Sequence, residues 1–238
     1  MLIVAHRGAR GLAPENTLAA MQAAIHSGAK AIEFDIHSHG DEFLVIHDRR
    51  LDRTTNGKGL LQAYSLEEIE QLDAGNGEVV PTLWRLLTLV NGQCALNIEL
   101  KCVTYLPPLL KQLDLACKTL NFSTDQFLIS SFNHHLLKQL KTLAPELKLG
   151  ALTASRPVDE CAFAEKLGAW SVNLDIDTVC PELVKDAHQR GLKCYVYTVN
   201  QPDDWQWLDR MGVDGIFCDV PEIAVGSFPQ SAIRPVWE

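Results

Sequence analysis

The chain has 238 residues, of which 47% are hydrophobic and 21% charged, and this balance excludes wholesale disorder. The formal net charge of −9 argues against a general nucleic-acid binder and a polybasic membrane-surface protein, because both classes carry the opposite sign. No stretch approaches the ~18 apolar residues of a transmembrane helix, and the apolar run Met1–Ala5 is too short for a signal sequence.

The seven cysteines are odd in number and show no CxxC spacing. This pattern favours reduced, mostly buried thiols over disulfides or a zinc site. Together with the missing signal sequence, it predicts a cytoplasmic protein.

Short aliphatic runs alternate with longer amphipathic stretches along the chain. The predicted strands are Leu2–Ala5, Ala31–Ile36, Phe43–Ile46, Ala95–Leu100, Phe127–Ser131, Leu147–Ala151, Trp170–Leu174, Lys193–Tyr197 and Gly215–Phe217. The predicted helices are Thr17–Ser27, Leu83–Val90, Pro107–Leu120, His134–Leu143, Val158–Leu167, Pro181–Arg190 and Pro202–Arg210. Near-continuous apolar strands between helices indicate βαβ units in a parallel sheet.

The connection between the second and third predicted strands is too short for a parallel crossover. Only His37–Glu42 separate them, whereas a crossover needs about a dozen residues, so the third strand is predicted to form a hairpin with the second. Eight parallel strands remain, which predicts an α/β protein with a (β/α)8 TIM-barrel fold. A doubly wound open sheet is the alternative, since strand order cannot be read from sequence.

Two segments depart from this rhythm within a single predicted domain spanning residues 1–238. Residues 48–80 are predicted to be a small insertion, with a polar turn at Asp52–Gly59 and a short helix near Leu66–Leu72. Insertions of this kind often build part of a binding mouth. Residues 226–238 are predicted to be a tail packed loosely on the surface.

Three carboxylates stand at strand ends that a barrel would bring to one mouth. Glu33 and Asp35 are two residues apart, so they face the same side of their strand, and Glu99 follows on the next parallel strand. Ionised together in a small space, they require a cation, and oxygen-only ligation favours Mg²⁺ or Ca²⁺. The alternative is a structural ion network with Arg7 and Lys101.

Two histidines and two cations are predicted at the same mouth. His6 and His47 suit general acid and general base chemistry near neutral pH. Arg7 and Lys101 can hold an anionic oxygen. With a metal, this set favours phosphoryl transfer or phosphodiester cleavage.

His37 and His39 form an HxH pair that could instead bind zinc, as in barrel hydrolases of the amidohydrolase type. That design also needs His and Asp ligands at later strand ends. The later histidines fall at a helix start or within a helix, which disfavours this hypothesis.

An ordered set of motifs spans residues 1 to about 225. The runs are His6-Arg7-Gly8, Pro14-Glu15-Asn16-Thr17, Glu33-Phe34-Asp35, His47-Asp48, Arg53-Thr54-Thr55-Asn56-Gly57, Leu72-Asp73-Ala74-Gly75, Pro81-Thr82-Leu83, Glu99-Leu100-Lys101, Ser131-Phe132, Thr198-Val199-Asn200, Asp214-Gly215-Ile216 and Asp219-Val220-Pro221. In these runs the chain resembles the glycerophosphodiester phosphodiesterase family.

The resemblance implies a metal-binding barrel hydrolase that cleaves small-molecule glycerophosphodiesters to sn-glycerol 3-phosphate and an alcohol. It implies one divalent cation on Glu33, Asp35 and Glu99, and His6 and His47 as the acid–base pair. It implies phosphate contacts from Arg7 and Lys101 and places Glu15 in the site. The resemblance also implies a role in glycerol and lipid metabolism. From the acidic charge and the lack of a long apolar run, we expect no nucleic-acid partner and no stable membrane insertion, and the oligomeric state stays open.

Two departures from the family leave the leaving alcohol open. Tyr197 stands where many members carry a Trp that lines the glycerol pocket, and only Asn76–Val80 remain of a lip that is often longer and richer in aromatic residues. One alternative is lysophospholipase D-type cleavage of lysophospholipids, although residues 48–80 show no long apolar run. A second alternative is a non-catalytic phosphodiester-binding barrel, although both histidines and all three carboxylates are present.

Overall fold

The computed structural model describes residues 1–228, 230 and 235–237, and in them nine strands form one sheet. The strands are β1 Leu2–Ala5, β2 Ala31–His39, β3 Glu42–Val45, β4 Ala95–Cys102, β5 Phe127–Ser131, β6 Lys148–Thr153, β7 Ser171–Asp175, β8 Lys193–Tyr197 and β9 Gly215–Cys218.

Eight of these strands are parallel and close into a barrel. β1 pairs with β9 at Leu2↔Gly215 and with β2 at Val4↔Ala31, so the sheet has no open edge between its first and last parallel strands. The TIM-barrel prediction is confirmed and the open-sheet alternative is excluded. β3 runs antiparallel to β2, which confirms the predicted hairpin.

Helices lie between the parallel strands, and the last helix follows β9. They are α1 Leu18–His26, α2 Leu66–Ile69, α3 Leu83–Val90, α4 Pro107–Thr119, α5 His134–Leu143, α6 Ala162–Lys166, α7 Pro181–Gln189, α8 Pro202–Met211 and α9 Pro221–Ser227. α1 begins where the Thr17 side chain accepts a hydrogen bond from the Ala20 amide, as expected of an N-cap. Among the described residues, no helix has the length and apolar character needed to cross a membrane.

Two helices differ from the sequence prediction. α6 begins at Ala162 instead of Val158, because Glu160 adopts a left-handed conformation with φ 49° and Val158 is fully exposed. α9 was not predicted, and it begins with Pro221 at its first position, where a missing amide hydrogen costs nothing.

The insertion at 48–80 has its own small core and packs on the β2–β3 hairpin. Leu51, Leu61 and Ile69 are fully buried in a cluster with Leu44 of β3. The predicted short helix is present as α2, and Ser65 begins it with a capping box. The insertion is therefore an ordered wall beside the barrel mouth.

The prediction of a loosely packed tail is wrong for Trp237. This residue is 1% exposed and packs at the amino-terminal end of the barrel against Val4, Ala31 and Leu128. Its indole N–H donates to the carbonyl oxygen of Gln126 at 3.1 Å. Residues 229, 231–234 and 238 of the predicted tail lie outside the described residues.

Candidate active site

Glu33, Asp35 and Glu99 converge at the carboxyl-terminal mouth of the barrel. Register pairs Asp35 of β2 with Glu99 of β4, and Glu33 is two residues before Asp35 on the same face. One oxygen of each carboxylate lies within 4.8 Å of the others. The sequence prediction that these three side chains meet is confirmed.

The electrostatics of this cluster fit a divalent cation. Burial and the charges of Asp35 and Glu99 raise the pKa of Glu33 well above its usual range, and burial beside Asp35 raises that of Glu99 to about 7. Glu33 Oε1 and Asp35 Oδ1 are buried without a hydrogen-bond partner among the described residues. An oxygen-ligated cation would satisfy both atoms and offset the repulsion.

His6 follows β1 and is oriented by a carboxylate from β9. Its Nδ1 lies 2.7 Å from Asp219 Oδ1, and its Nε2 faces Glu33 Oε2 at 4.0 Å. Asn200 Nδ2 donates to the other oxygen of Asp219 at 2.8 Å and fixes that carboxylate. Burial lowers the pKa of His6, so the ring is neutral with its proton on Nδ1.

His47 is oriented in the same way on the opposite side of the mouth. Its Nδ1 lies 2.6 Å from Asp48 Oδ1, and its Nε2 lies 3.1 Å from Lys101 Nζ. An ammonium group only donates, so Nε2 accepts and the ring proton is on Nδ1. Burial lowers the pKa of His47 and favours this neutral form.

A tight turn after β1 places Arg7 against the carboxylates. Arg7 has φ 55° and Gly8 has φ 77°, and a Cβ at Gly8 would lie 2.6 Å from the backbone of Ala20. This turn directs the Arg7 amide at Glu33 Oε2 (2.8 Å) and its guanidinium at Glu15 Oε1 (2.7 Å). Glycine is required there by both conformation and space.

Glu15 and Lys101 complete the charged lining. Glu15 accepts hydrogen bonds from Arg53 and Arg7, which, against the opposing effect of burial, lower its pKa to about 2. Lys101 Nζ donates to Glu99 Oε1 at 2.7 Å. Glu15 thus positions two guanidinium groups, and Lys101 lies between a carboxylate and His47.

A cleft of about 140 Å³ lies between the two histidines. Its wall includes Phe132, Leu152, Tyr197 and Phe217. The Tyr197 ring meets Phe132 edge-on at 5.9 Å, and its hydroxyl donates to the carbonyl oxygen of Thr153 at 2.8 Å. Because the hydroxyl group donates its hydrogen bond within the wall, Tyr197 presents only its apolar ring to the cleft.

The structure gives no support to zinc binding by His37 and His39. His37 Nε2 donates to the carbonyl oxygen of His47 at 3.0 Å, so this ring supports the loop that carries His47. His134 Nε2 likewise donates to the carbonyl oxygen of Leu152. In the described part of the chain, the group with metal-ligand spacing is Glu33, Asp35 and Glu99.

Sequence reasoning assigned no role to several side chains that hold the site. Asp219 and Asp48 orient the histidines, Arg53 bridges Asp48 and Glu15, and Asn16 Nδ2 donates to Asp35 Oδ2 at 2.9 Å. All four residues lie within the motif runs named in the sequence analysis. Their presence in those runs was the available signal, but it did not reveal which partner each one contacts.

Residues 6–223 match the model of the glycerophosphoryl diester phosphodiesterase family. With this match, the barrel and its mouth of paired histidines, clustered carboxylates and cations are those of a phosphoric diester hydrolase. The chain belongs to the glycerophosphoryl diester phosphodiesterase family.

Relatives and solved structures agree with this assignment. The chain is 38% identical over 234 residues to a glycerophosphodiester phosphodiesterase of Caldanaerobacter subterraneus subsp. tengcongensis, covering 94% of this chain and 96% of that one. It is 36% identical over 236 residues to one from Bacillus altitudinis, covering 94% and 96%. An Oleispira antarctica phosphodiesterase in complex with the product sn-glycerol-3-phosphate superposes with a TM-score of 0.87 at 30% identity, covering 97% of each chain.

Proposed function

We propose that this protein hydrolyses glycerophosphodiesters to sn-glycerol 3-phosphate and an alcohol, with His6 and His47 as the acid–base pair. The carrying observation is the arrangement of two neutral imidazoles, each oriented by a carboxylate, on either side of one cleft. The product bound to the Oleispira antarctica relative supports the choice of substrate.

Glu33, Asp35 and Glu99 would hold one divalent cation, Mg²⁺ or Ca²⁺. When bound, such an ion supplies positive charge that stabilises the phosphate in the transition state. Arg7 and Lys101 border the same cleft and bind the non-bridging phosphate oxygens. The Tyr197 ring packs against the carbon chain of the glycerol, opposite the charged side of the cleft.

The two histidines move protons at opposite ends of the reacting phosphate. One neutral ring accepts the proton of the attacking oxygen at its free Nε2. The other ring enters the reaction with a proton taken from water on its Nε2, and it donates that proton to the alcohol oxygen as the bond from phosphorus to that oxygen breaks. Lys101 covers His47 Nε2 in this structure. Movement of its ammonium group to a phosphate oxygen would free that nitrogen when substrate binds.

The test is glycerol 3-phosphate release from glycerophosphocholine and glycerophosphoethanolamine with Mg²⁺, with Ca²⁺ and after EDTA. We expect metal-dependent release, and we expect His6→Ala and His47→Ala each to lower turnover by at least about 100-fold. His26→Ala removes an exposed imidazole on α1 and is the matched control. Turnover equal to that of the parent protein in both cleft variants would contradict the acid–base roles.

Lysophospholipase D activity is a second candidate, because two aromatic side chains are exposed in loops at the mouth. Tyr105, after β4, is 62% exposed, and Phe132, after β5, is 46% exposed and borders the cleft. These rings could hold an acyl chain. Choline release from lysophosphatidylcholine exceeding that from glycerophosphocholine would favour this activity, whereas diester binding without release would favour a non-catalytic barrel.

A cytoplasmic location is also proposed, supported by seven free cysteines, of which Cys94, Cys161, Cys194 and Cys218 are buried. Unpaired thiols suit a reducing compartment. Fractionation of the producing cell tests this, and recovery outside the cytoplasmic fraction would contradict it.

A further inference from the structure

A second groove adjoins the cleft at His47 and Lys101. It has a volume of about 440 Å³, and these two side chains line both spaces. Its other lining residues are His37, Asp48, Arg49, Arg50 and Cys102. We call it the arginine groove.

The cleft between the histidines is the smaller of the two spaces, with about 140 Å³ against about 440 Å³ for the arginine groove. His47 and Lys101 line both spaces, so a diester with its phosphate between His6 and His47 has the arginine groove directly beside it. The arginine groove is therefore a space available to the second half of the substrate.

The arginine groove carries excess positive charge in a chain whose net charge is −9. Asp48 is its one lining carboxylate, and this group is already held by Arg53 and His47. Arg50 pairs with Asp52 at 3.2 Å, whereas Arg49 has no ion pair within the described ranges. Unneutralised cations in a groove attract anionic ligands locally, against the field of the whole protein.

The two arginines stand on an anchored segment. The Arg49 carbonyl oxygen accepts a hydrogen bond from the Leu61 amide, and Arg50 forms an antiparallel bridge with Leu60. Gln62 Nε2 then donates to the carbonyl oxygen of Ser38 at 2.7 Å, which ties the insertion to β2. The backbone therefore holds both side chains beside the groove.

We propose that the arginine groove binds the leaving alcohol and that Arg49 and Arg50 select alcohols bearing a negative charge, such as a phosphate group. This inference rests on the proposed phosphodiesterase function. It assigns a specificity role to two exposed residues that the catalytic proposal does not use.

The experiment compares kcat/KM for three substrates: glycerophosphocholine, glycerophosphoglycerol, and glycerophosphoglycerol with a phosphate on its terminal glycerol. Their leaving alcohols are cationic, neutral and anionic. We expect the double variant Arg49→Gln/Arg50→Gln to lower kcat/KM for the anionic substrate by roughly tenfold, about what two exposed ion pairs contribute, and to leave the neutral one within about twofold. Added salt should reduce the preference of the parent protein.

Arg210→Gln is the matched control, because it makes the same type of charge change on an exposed residue of α8, away from the mouth. The charge reversal Arg49→Glu should shift the preference toward glycerophosphocholine. Cleavage of the neutral diester with substrate ratios unchanged in the double variant would overturn the groove assignment alone. No release from any of the three substrates would overturn the phosphodiesterase function and the groove assignment with it.

Discussion

At the residue scale, each histidine of the site depends on a carboxylate partner. Asp219 fixes the His6 ring proton on Nδ1, which leaves Nε2 toward the cleft. We expect Asp219→Asn to lower kcat by at least about 100-fold, because an amide that donates to Nδ1 favours the wrong tautomer. The low-pH limb of the kcat/KM profile should also move to lower pH, since the lost carboxylate charge stabilised the protonated imidazole.

The control is Asp114→Asn, which removes an exposed carboxylate from α4. This variant should change neither kcat nor the pH profile of kcat/KM. Thermal unfolding of both variants checks that the barrel is intact. A pH profile of Asp219→Asn that superimposes on that of the parent protein would contradict the positioning role of Asp219.

We expect the ionisation of Glu15 to make the free energy of unfolding depend on pH. Its pKa falls from an ordinary 4.5 to about 2 on folding, so its stabilising effect is complete above pH 4.5 and is lost as pH falls toward 2. Allowing for the exposure of Arg53, we expect Glu15→Gln to cost about 2 kcal/mol at pH 7. Urea unfolding at pH 7, 5, 4 and 3 should show the difference from the parent protein narrowing, and a constant difference would contradict this account.

The reactive side chains could be predicted from sequence because strand ends share one mouth. The convergence of Glu33, Asp35 and Glu99 could be predicted from the positions of the strands and from the alternation of side chains along a strand. The partner of His6 could not be found in this way, because Asp219 is 213 residues away and the contact depends on β9 closing against β1.

At the element scale, Trp237 closes the amino-terminal end of the barrel. We expect Trp237→Ala to cost about 3–5 kcal/mol, as for other large core truncations, without changing kcat of the folded protein, because the mouth is at the opposite end. Trp207, on α8 and 39% exposed, is the matched control, and Trp207→Ala should cost far less. Denaturant unfolding measures both values, and equal losses would contradict the closing role of Trp237.

The elements that sequence predicted well were those with a strong local signal. Eight parallel strands and the hairpin followed from apolar runs and one short connection. α9 is only seven residues long, and this short stretch gave no helix prediction. The packing of Trp237 had no local signal either, since the Trp237 indole is buried by residues from distant strands. The start of α6 depended on the backbone of Glu160, which periodicity does not report.

At the scale of the whole molecule, the acidic cluster weakens the barrel that contains it. Burial and mutual repulsion raise the pKa of Glu33 and Glu99, so charging these groups near neutral pH costs folding free energy. We expect Mg²⁺ or Ca²⁺ to raise the melting temperature. At a free metal concentration one hundred times the dissociation constant, the free energy of unfolding should rise by about 2.7 kcal/mol. Differential scanning calorimetry across a metal titration measures it.

Glu33→Gln should raise the melting temperature of the metal-free protein and abolish its response to metal, because one repelling charge and one ligand are removed together. Glu146→Gln, on the surface after α5, is the control and should leave both unchanged. An undiminished metal response in Glu33→Gln would place the cation elsewhere.

The closure of the barrel by its first and last strands has a consequence for synthesis on the ribosome. β1 is synthesised before its partner β9, and the two strands pair at Leu2↔Gly215. The nascent chain cannot complete its hydrogen-bonded ring while the ribosome still covers β9. Until β9 emerges, the exposed strand edges of β1 and β8 are sites at which chaperones would bind.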